Sequence, residues 1–144
     1  MQLTTPYVFN EESSQMCSGQ ISPQDVPVLK QEGFAHVINL RGQDEMPSPL
    51  EEKTWFADTG IQYHHLNIAS ANDLSKSNVE AFSQMLANIG SEKTLVHCGS
   101  SNRVGAMYAL KAYWLDGKNK EESIAIGEQA GLTSLKETVL ALMA

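Results

Sequence analysis

Apolar positions along this chain follow two rhythms, and clear punctuation separates the stretches in which each one holds. Val26 and Leu29 give the stripe of a short helix, opened by Ser22-Pro23-Gln24-Asp25 with Pro at the first helical position and closed by Gly33. Val37 to Leu40 is a run too short for a helix and reads as a buried strand. Ser48-Pro49-Leu50-Glu51 opens a second helix that carries Trp55 and ends at Gly60, after which Gln62 to Ile68 reads as a strand. Ser77-Asn78-Val79-Glu80 caps a third helix, with Val79, Phe82, Leu86 and Ile89 on one face and Gly90 at its end. A strand over Thr94 to His97 follows, then three helices over Arg103 to Leu115, Lys120 to Ala130 and Ser134 to Met143, parted by Gly117 and by Gly131-Leu132-Thr133. Such alternation predicts an α/β fold with a central, mostly parallel sheet flanked by helices, and ligands in that architecture bind beyond the carboxyl ends of the strands.

Composition narrows the picture without supplying chemistry. The 144 residues are enough for one sizeable core, so one domain over residues 1–144 is expected. A net charge of −7 argues against nucleic acid and anionic membrane as partners, because both reward clustered Lys and Arg. No stretch approaches the roughly 20 apolar residues of a membrane span. Met1-Gln2-Leu3-Thr4-Thr5-Pro6 lacks a basic and then apolar leader, so the expected location is cytoplasmic, with a removed export signal left open. Two cysteines, Cys17 and Cys98, are too few for a disulfide scaffold.

Chemistry enters at Thr94-Leu95-Val96-His97-Cys98-Gly99-Ser100-Ser101-Asn102-Arg103-Val104-Gly105. A short strand delivers His-Cys to a turn of small residues, and Arg103 precedes a helix whose stripe is Met107, Leu110 and Trp114. A free thiol is mostly protonated at neutral pH and becomes a good nucleophile beside positive potential, which the unpaired N–H groups of a helix N-terminus supply. Arg103 adds a planar, permanently charged fork matched to two oxygens of an oxyanion. Cys98 is therefore the candidate nucleophile, with Gly99, Ser100, Ser101, Asn102 and Arg103 as the candidate anion cradle.

These pieces, together with Cys17-Ser18-Gly19-Gln20 before Ser22-Pro23, Gly33-Phe34 before Val37-Ile38-Asn39-Leu40-Arg41, and Gly60-Ile61-Gln62-Tyr63, resemble the cysteine-dependent phosphatases of dual-specificity type. Among those, the chain is most similar to a bacterial family of phosphatase-like domains related to the one fused to beta-lactamase-like hydrolases. The resemblance covers nearly the whole chain and implies the three-layer sandwich of those enzymes. It also implies hydrolysis of a phosphomonoester, carried on a phosphorylated protein or a small molecule, with no cofactor. Such enzymes need an acid to protonate the leaving oxygen, and Asp73, in Ala69-Ser70-Ala71-Asn72-Asp73-Leu74 after the predicted strand, matches the acid loop in type and order. A solvated turn ahead of a helix cap is the alternative for the same segment.

The chain departs from that pattern in its loop. The family places five residues between Cys and Arg, whereas only Gly99, Ser100, Ser101 and Asn102 stand between Cys98 and Arg103. A shorter ring of amides encloses less volume, and the spacing is closer to that of rhodanese-type sulfurtransferases, whose cradle holds a persulfide sulfur. Val104 replaces the usual Ser or Thr after Arg, and Ser100 or Ser101 stands where a Gly is usual. Three readings therefore stand: a phosphatase acting through phosphocysteine, a sulfurtransferase with a Cys98 persulfide, and an anion- or phosphoprotein-binding module without turnover. Around the loop, Arg41 is assigned either to the pocket rim or to an ion pair with Asp44 or Glu45. His97 is expected to fix the loop through hydrogen bonds. His36, His64 and His65 form no ligand cluster, so no metal is expected. Cys17 is either a small core residue or a redox partner of Cys98.

Overall fold

Two apolar faces organise the chain, one on each side of a five-stranded sheet. A computed structural model describes all 144 residues. Its strands are β1 (Tyr7–Asn10), β2 (Gln15–Ser18), β3 (His36–Asn39), β4 (Gln62–His65) and β5 (Thr94–His97), in the spatial order β1-β2-β5-β3-β4. β2, β5, β3 and β4 run parallel, and β1 joins the edge antiparallel to β2. The helices are α1 (Asp25–Gln31), α2 (Pro49–Trp55), α3 (Lys76–Ile89), α4 (Asn102–Trp114), α5 (Lys120–Gln129) and α6 (Lys136–Leu142).

Register decides which side chains each layer receives. Met16, Leu95 and Val37 lie side by side across β2, β5 and β3, and they pack with Val26, Leu29 and Phe56 of the α1–α2 layer. The next residues, Cys17, Val96 and Ile38, face the opposite way and join Phe82, Met107, Leu110 and Val139 of the α3–α6 layer. Strand side chains alternate between faces, so each strand contributes to both cores. This is the predicted α/β architecture.

Element ends differ from expectation where tertiary hydrogen bonds intervene. α1 starts at Asp25, whose buried carboxylate accepts from Thr4 N at 2.8 Å, Thr4 Oγ1 at 2.6 Å and Ser22 N at 2.9 Å, so Ser22-Pro23 becomes a bracketed turn ahead of the helix. α3 is capped by Ser75, which accepts from Asn78 N at 3.2 Å, two residues before the predicted Ser77. β4 stops at His65, and Leu66 N makes the last parallel bond, to Asn39 O at 3.0 Å. β1 was not predicted, although Tyr7-Val8-Phe9 are all strand formers: its four residues, half-buried at Tyr7 and Phe9 and exposed at Val8 and Asn10, pair antiparallel with β2 at the sheet edge.

Candidate active site

β5 is the central strand, and its end places Cys98 over the middle of the sheet with no exposed surface. The loop that follows is held from beneath by β2: Gln20 N donates to Gly99 O at 2.9 Å, and Gly19 bridges Ser100. A Cβ on Gly19 would stand 2.7 Å from Gly99 O, so that position requires glycine for a close backbone approach. Ser101 turns the chain into α4 with φ 71° and ψ −4°, a left-handed conformation uncommon for serine. Its hydroxyl donates to Ala130 O at 2.7 Å, which ties the strained residue to the end of α5. Apart from the amide engaged in the Gly19–Ser100 bridge, no backbone N–H of residues 99 to 104 has a close acceptor in the chain, and the first amide of α4 to be taken up is Gly105 N, by Ser101 O at 2.9 Å. Most amides of the loop that follows Cys98 thus keep their donors free. The side chains of Ser101 and Asn102 do not face it, because Asn102 Oδ1 accepts from Thr133 N at 2.8 Å and its Nδ2 donates to Ser134 Oγ at 2.8 Å.

Arg103 is held in a fixed plane. Nη1 and Nη2 donate to the two oxygens of Glu45 at 2.6 and 2.9 Å, and Nη1 also donates to Ile68 O at 3.0 Å. Of the five N–H donors, the Nε edge and one Nη2 hydrogen remain, and Nη2 lies beside Gly99. Arg103 also faces the Cys98 sulfur, and its bonds to Glu45 push its ionisation further up. Glu45 in turn is held down at about 2, first by the hydrogen bonds from Arg103 and then by that from Gly42 N at 2.6 Å. Of the two sequence alternatives for Arg41, the structure forms the ion pair, with Nε 3.5 Å from Glu45, and it does so in the interior: Arg41 is buried and donates to Pro47 O at 2.7 Å and Met46 O at 2.9 Å. Two arginines thus share one carboxylate. A small cavity of about 290 Å³ opens at this point, lined by Gly42, Glu45, Asn67, Ala69 and Arg103 among others; Cys98 lies outside its wall. A larger cavity of about 880 Å³, between β1, β2 and α5, includes Cys17 and Tyr108 but no residue of the loop.

Beneath the loop runs a buried polar chain that begins in α2. Glu52 and His97 are both fully buried, with Glu52 Oε2 2.6 Å from His97 Nε2. His97 Nδ1 is 3.2 Å from Cys98 O. Gln20 Nε2 donates to Glu52 Oε1 at 2.6 Å, and Asn39 Nδ2 donates to the Tyr63 hydroxyl at 2.8 Å. Burial works to raise the Glu52 carboxyl, but hydrogen bonds from His97, Gln20 and Tyr63 outweigh it and leave the group below the ordinary range. His97 holds the loop through hydrogen bonds as the sequence suggested, whereas Glu52 and Glu45 as its supports were not foreseen. They lie 45 residues from His97 and 58 from Arg103 respectively, so no local spacing links them.

Asp73 sits in a 3-10 turn over Ala71–Asp73. Its carboxylate accepts from Ala69 N at 2.9 Å and Ser70 N at 3.2 Å and forms a capping box with Ser70. It touches neither Cys98 nor Arg103, but Ala69 lines the cavity beside Arg103 and Ile68 binds the guanidinium, so this segment borders the site. Cys17 is a buried free thiol, pushed up to about 12 by burial first of all. It pairs across the sheet with Val96, two residues before Cys98. Strand spacing then puts the two Cα atoms about 8 Å apart. That exceeds the reach of an unstrained disulfide of about 7 Å, and places Cys17 among core residues.

Residues 12–137 match the family described as PTP-SAK, Swiss Army Knife protein, DSP-PTPase phosphatase domain, and the chain belongs to this family. It is 26% identical over 118 residues to the beta-lactamase hydrolase-like protein of Xylella fastidiosa strain Temecula1, covering 79% of this chain and 27% of that protein. Its likeness to the corresponding protein of Agrobacterium fabrum strain C58 is 27% over 110 residues, covering 74% of this chain and 25% of the relative. The chain thus spans about a quarter of the length of these curated relatives. Among solved structures, a DUF442 protein from Shewanella putrefaciens CN-32 superposes with a TM-score of 0.72 at 20% identity, over 95% of this chain and 85% of that one. P. aeruginosa TpbA superposes with a TM-score of 0.68 at 16% identity, over 90% and 78%. The fold is therefore that of the dual-specificity and tyrosine phosphatases. No helix is long and apolar enough to cross a membrane.

Proposed function

We propose that this chain, taken over residues 1–144 as one phosphatase-like domain, hydrolyses phosphomonoesters through a phosphocysteine at Cys98. The observation that supports this reading is the run of largely unpartnered amides from 99 to 104 after Cys98, closed by an arginine whose remaining donors form a fork on the cysteine's side. Amide dipoles and a guanidinium stabilise both the thiolate and the trigonal-bipyramidal phosphoryl group better than water does, because they are already oriented. The Cys98 sulfur attacks phosphorus, a P–S bond forms as the P–O bond breaks, and the leaving oxygen takes a proton from Asp73. Water then attacks the phosphocysteine, releasing inorganic phosphate and restoring the thiolate.

Asp73 acts as the acid in this scheme in its protonated form, once its carboxyl group has exchanged the Ala69 and Ser70 amides for the leaving oxygen. The cavity beside Arg103 gives the approach, and because Cys98 is enclosed, its lip at Glu45 and Ala69 must part to admit an ester. The substrate class follows by analogy with P. aeruginosa TpbA, a variant of which is known in complex with phosphotyrosine. The test is para-nitrophenyl phosphate. Wild type turns it over, and Cys98→Ser loses turnover while still binding vanadate. Oxyanion binding without turnover by wild type would replace the reading with that of a binding module, and cyanide-dependent sulfur transfer from thiosulfate would replace it with that of a sulfurtransferase.

A further inference from the structure

Helices cover the two faces of the sheet unevenly. Val8 and Asn10 of β1 stand opposite Cys17 and Gln15 of β2, and directly opposed residues share a face, here the one on which the α3–α6 layer packs. That layer reaches Cys17 but stops short of β1, so Val8 is left 56% exposed. The space beside α5 is the cavity of about 880 Å³, within the roughly 300–1,000 Å³ of small-molecule pockets. Its floor is polar but neutral. The Tyr108 hydroxyl donates to Gln15 Oε1 at 2.5 Å and lies in hydrogen-bond contact with the Cys17 thiol. Burial pushes both the thiol and the phenol up, so neither is charged near neutrality. Val8 and Ile126 supply apolar sides. Charge enters only at the β1–β2 turn, through the exposed Glu11 and Glu12. Neither carboxylate is paired with a cation of the chain, and no Lys, Arg or His lines the cavity.

We propose that this cavity is a second binding site, for a small organic ammonium ion with an aryl or alkyl body, and that its occupancy is felt by the loop after Cys98. The apolar sides take the body, the Gln15 and Tyr108 end takes a polar substituent, and the two unneutralised carboxylates at the rim select the cation over an anion of the same shape. Binding here goes beyond the phosphatase reading and does not depend on it.

Coupling follows from where the walls end. α5 closes the cavity with Ile126, Gln129 and Ala130, and Ala130 O accepts from Ser101 Oγ at 2.7 Å. The next residue, Gly131, lies so close that a Cβ there would collide with the Ser101 side chain. On the opposite wall, Cys17 leads into Ser18, whose carbonyl accepts from Cys98 N at 3.3 Å, and into Gly19, which bridges Ser100. A ligand seated between β2 and α5 restrains both supports at once. Ser101, held in its left-handed conformation, and the amides after it then lose less freedom when an oxyanion binds, and the effect is reciprocal.

The test is a titration of the nitrogen-15-labelled full chain at pH 7 with phenethylamine, followed by amide NMR. Saturable shifts are expected at Gln15, Cys17, Ile126 and Gln129, with a Kd of about 1 mM or below. Phenylacetate, the same body with the opposite charge, binds at least tenfold more weakly. Val8→Trp fills the exposed side and abolishes the saturable shifts. Glu11→Gln with Glu12→Gln, both at exposed positions, lowers the affinity for phenethylamine to that for neutral 2-phenylethanol. Saturating phenethylamine tightens vanadate binding about fivefold and slows hydrogen exchange at the Gly105 amide, which Ser101 O holds, by a similar factor. No saturation by about 10 mM, shifts confined to residues 42–45, or equal affinity for phenylacetate overturns the site. Unchanged Gly105 exchange at saturation overturns the coupling. A chain that takes phenethylamine but neither binds vanadate nor cleaves phosphate esters counts against the phosphatase reading, with the cavity and the exchange measurement still decisive for this proposal.

Discussion

Glu45 shows how one side chain can hold an anion site while being an anion itself. Its carboxylate binds the Nη1–Nη2 end of Arg103 and leaves the Nε–Nη2 edge, which passes beside Gly99, for a ligand, so it orients the guanidinium without competing for that edge. Glu45→Gln weakens two charge-assisted hydrogen bonds, frees Arg103 to swing, and is expected to lower kcat/KM toward para-nitrophenyl phosphate about tenfold, a barrier increase near 1.4 kcal/mol. An unchanged kcat/KM would mean that Ile68 O alone fixes the guanidinium. At this scale the sequence was informative wherever chemistry is local: Cys98 and Arg103 are five positions apart, and their residue types and the strand-to-helix context announce an anion site. Glu45 and Glu52 were illegible for a matching reason. An acidic residue in a loop, or in the first turn of a helix, has an ordinary solvated explanation, and only the three-dimensional fold brings these two to Arg103 and His97.

Among the elements, α4 is the one most constrained by its neighbours. Apolar or small side chains surround most of it, and α5 and the turn after it press so close that a Cβ on Gly105 would stand 2.1 Å from Leu132 N and 2.6 Å from Gly127 O. Gly105→Ala therefore cannot be absorbed by a rotamer change, and is expected to cost about 3 kcal/mol or more. The thermal midpoint should fall by roughly 10 °C. A fall of only one or two degrees would show that the helices slide apart freely. The 68–73 segment has the opposite character. Asp73→Asn should reduce kcat about a hundredfold for an alkyl phosphate and much less for para-nitrophenyl phosphate, whose leaving group needs no proton. Equal losses on both would make Asp73 a cap and nothing more. Strand and helix existence was legible because period, Gly stops and Ser-Pro starts agreed over most of the chain. The ends were not: Asp25 starts α1 through Thr4, 21 residues away, and β1, at the sheet edge, went unpredicted although its residues are strand formers.

Taken as a whole, the molecule stores its ionisable groups so that stability should decline toward both ends of the pH scale. Glu45 at about 2 and Glu52 below its ordinary value of 4.5 are depressed carboxyls, so their contributions are present above that value and are lost as acid protonates them. Glu45 is partly exposed, which reduces its share. His64, pushed below 6.5 first by burial and then by His36, is favoured neutral in the fold, so stability also declines as pH falls through that value. On the alkaline side, Cys17 at about 12 against an ordinary 9.0 is favoured protonated, and its contribution is lost as pH rises above 9. Through these groups, urea midpoints measured across pH should fall below about 6.5 and again above about 9. A midpoint still rising above pH 9 would contradict the buried, protonated thiol. The parallel order β2-β5-β3 has a consequence for synthesis on the ribosome: the strand that leads into Cys98 emerges after both of its flanking strands. Until residue 94 is out, two complementary edges stand open with a gap between them, so the nascent chain is at its stickiest just before the loop after Cys98 exists, and a holding chaperone would act in that interval.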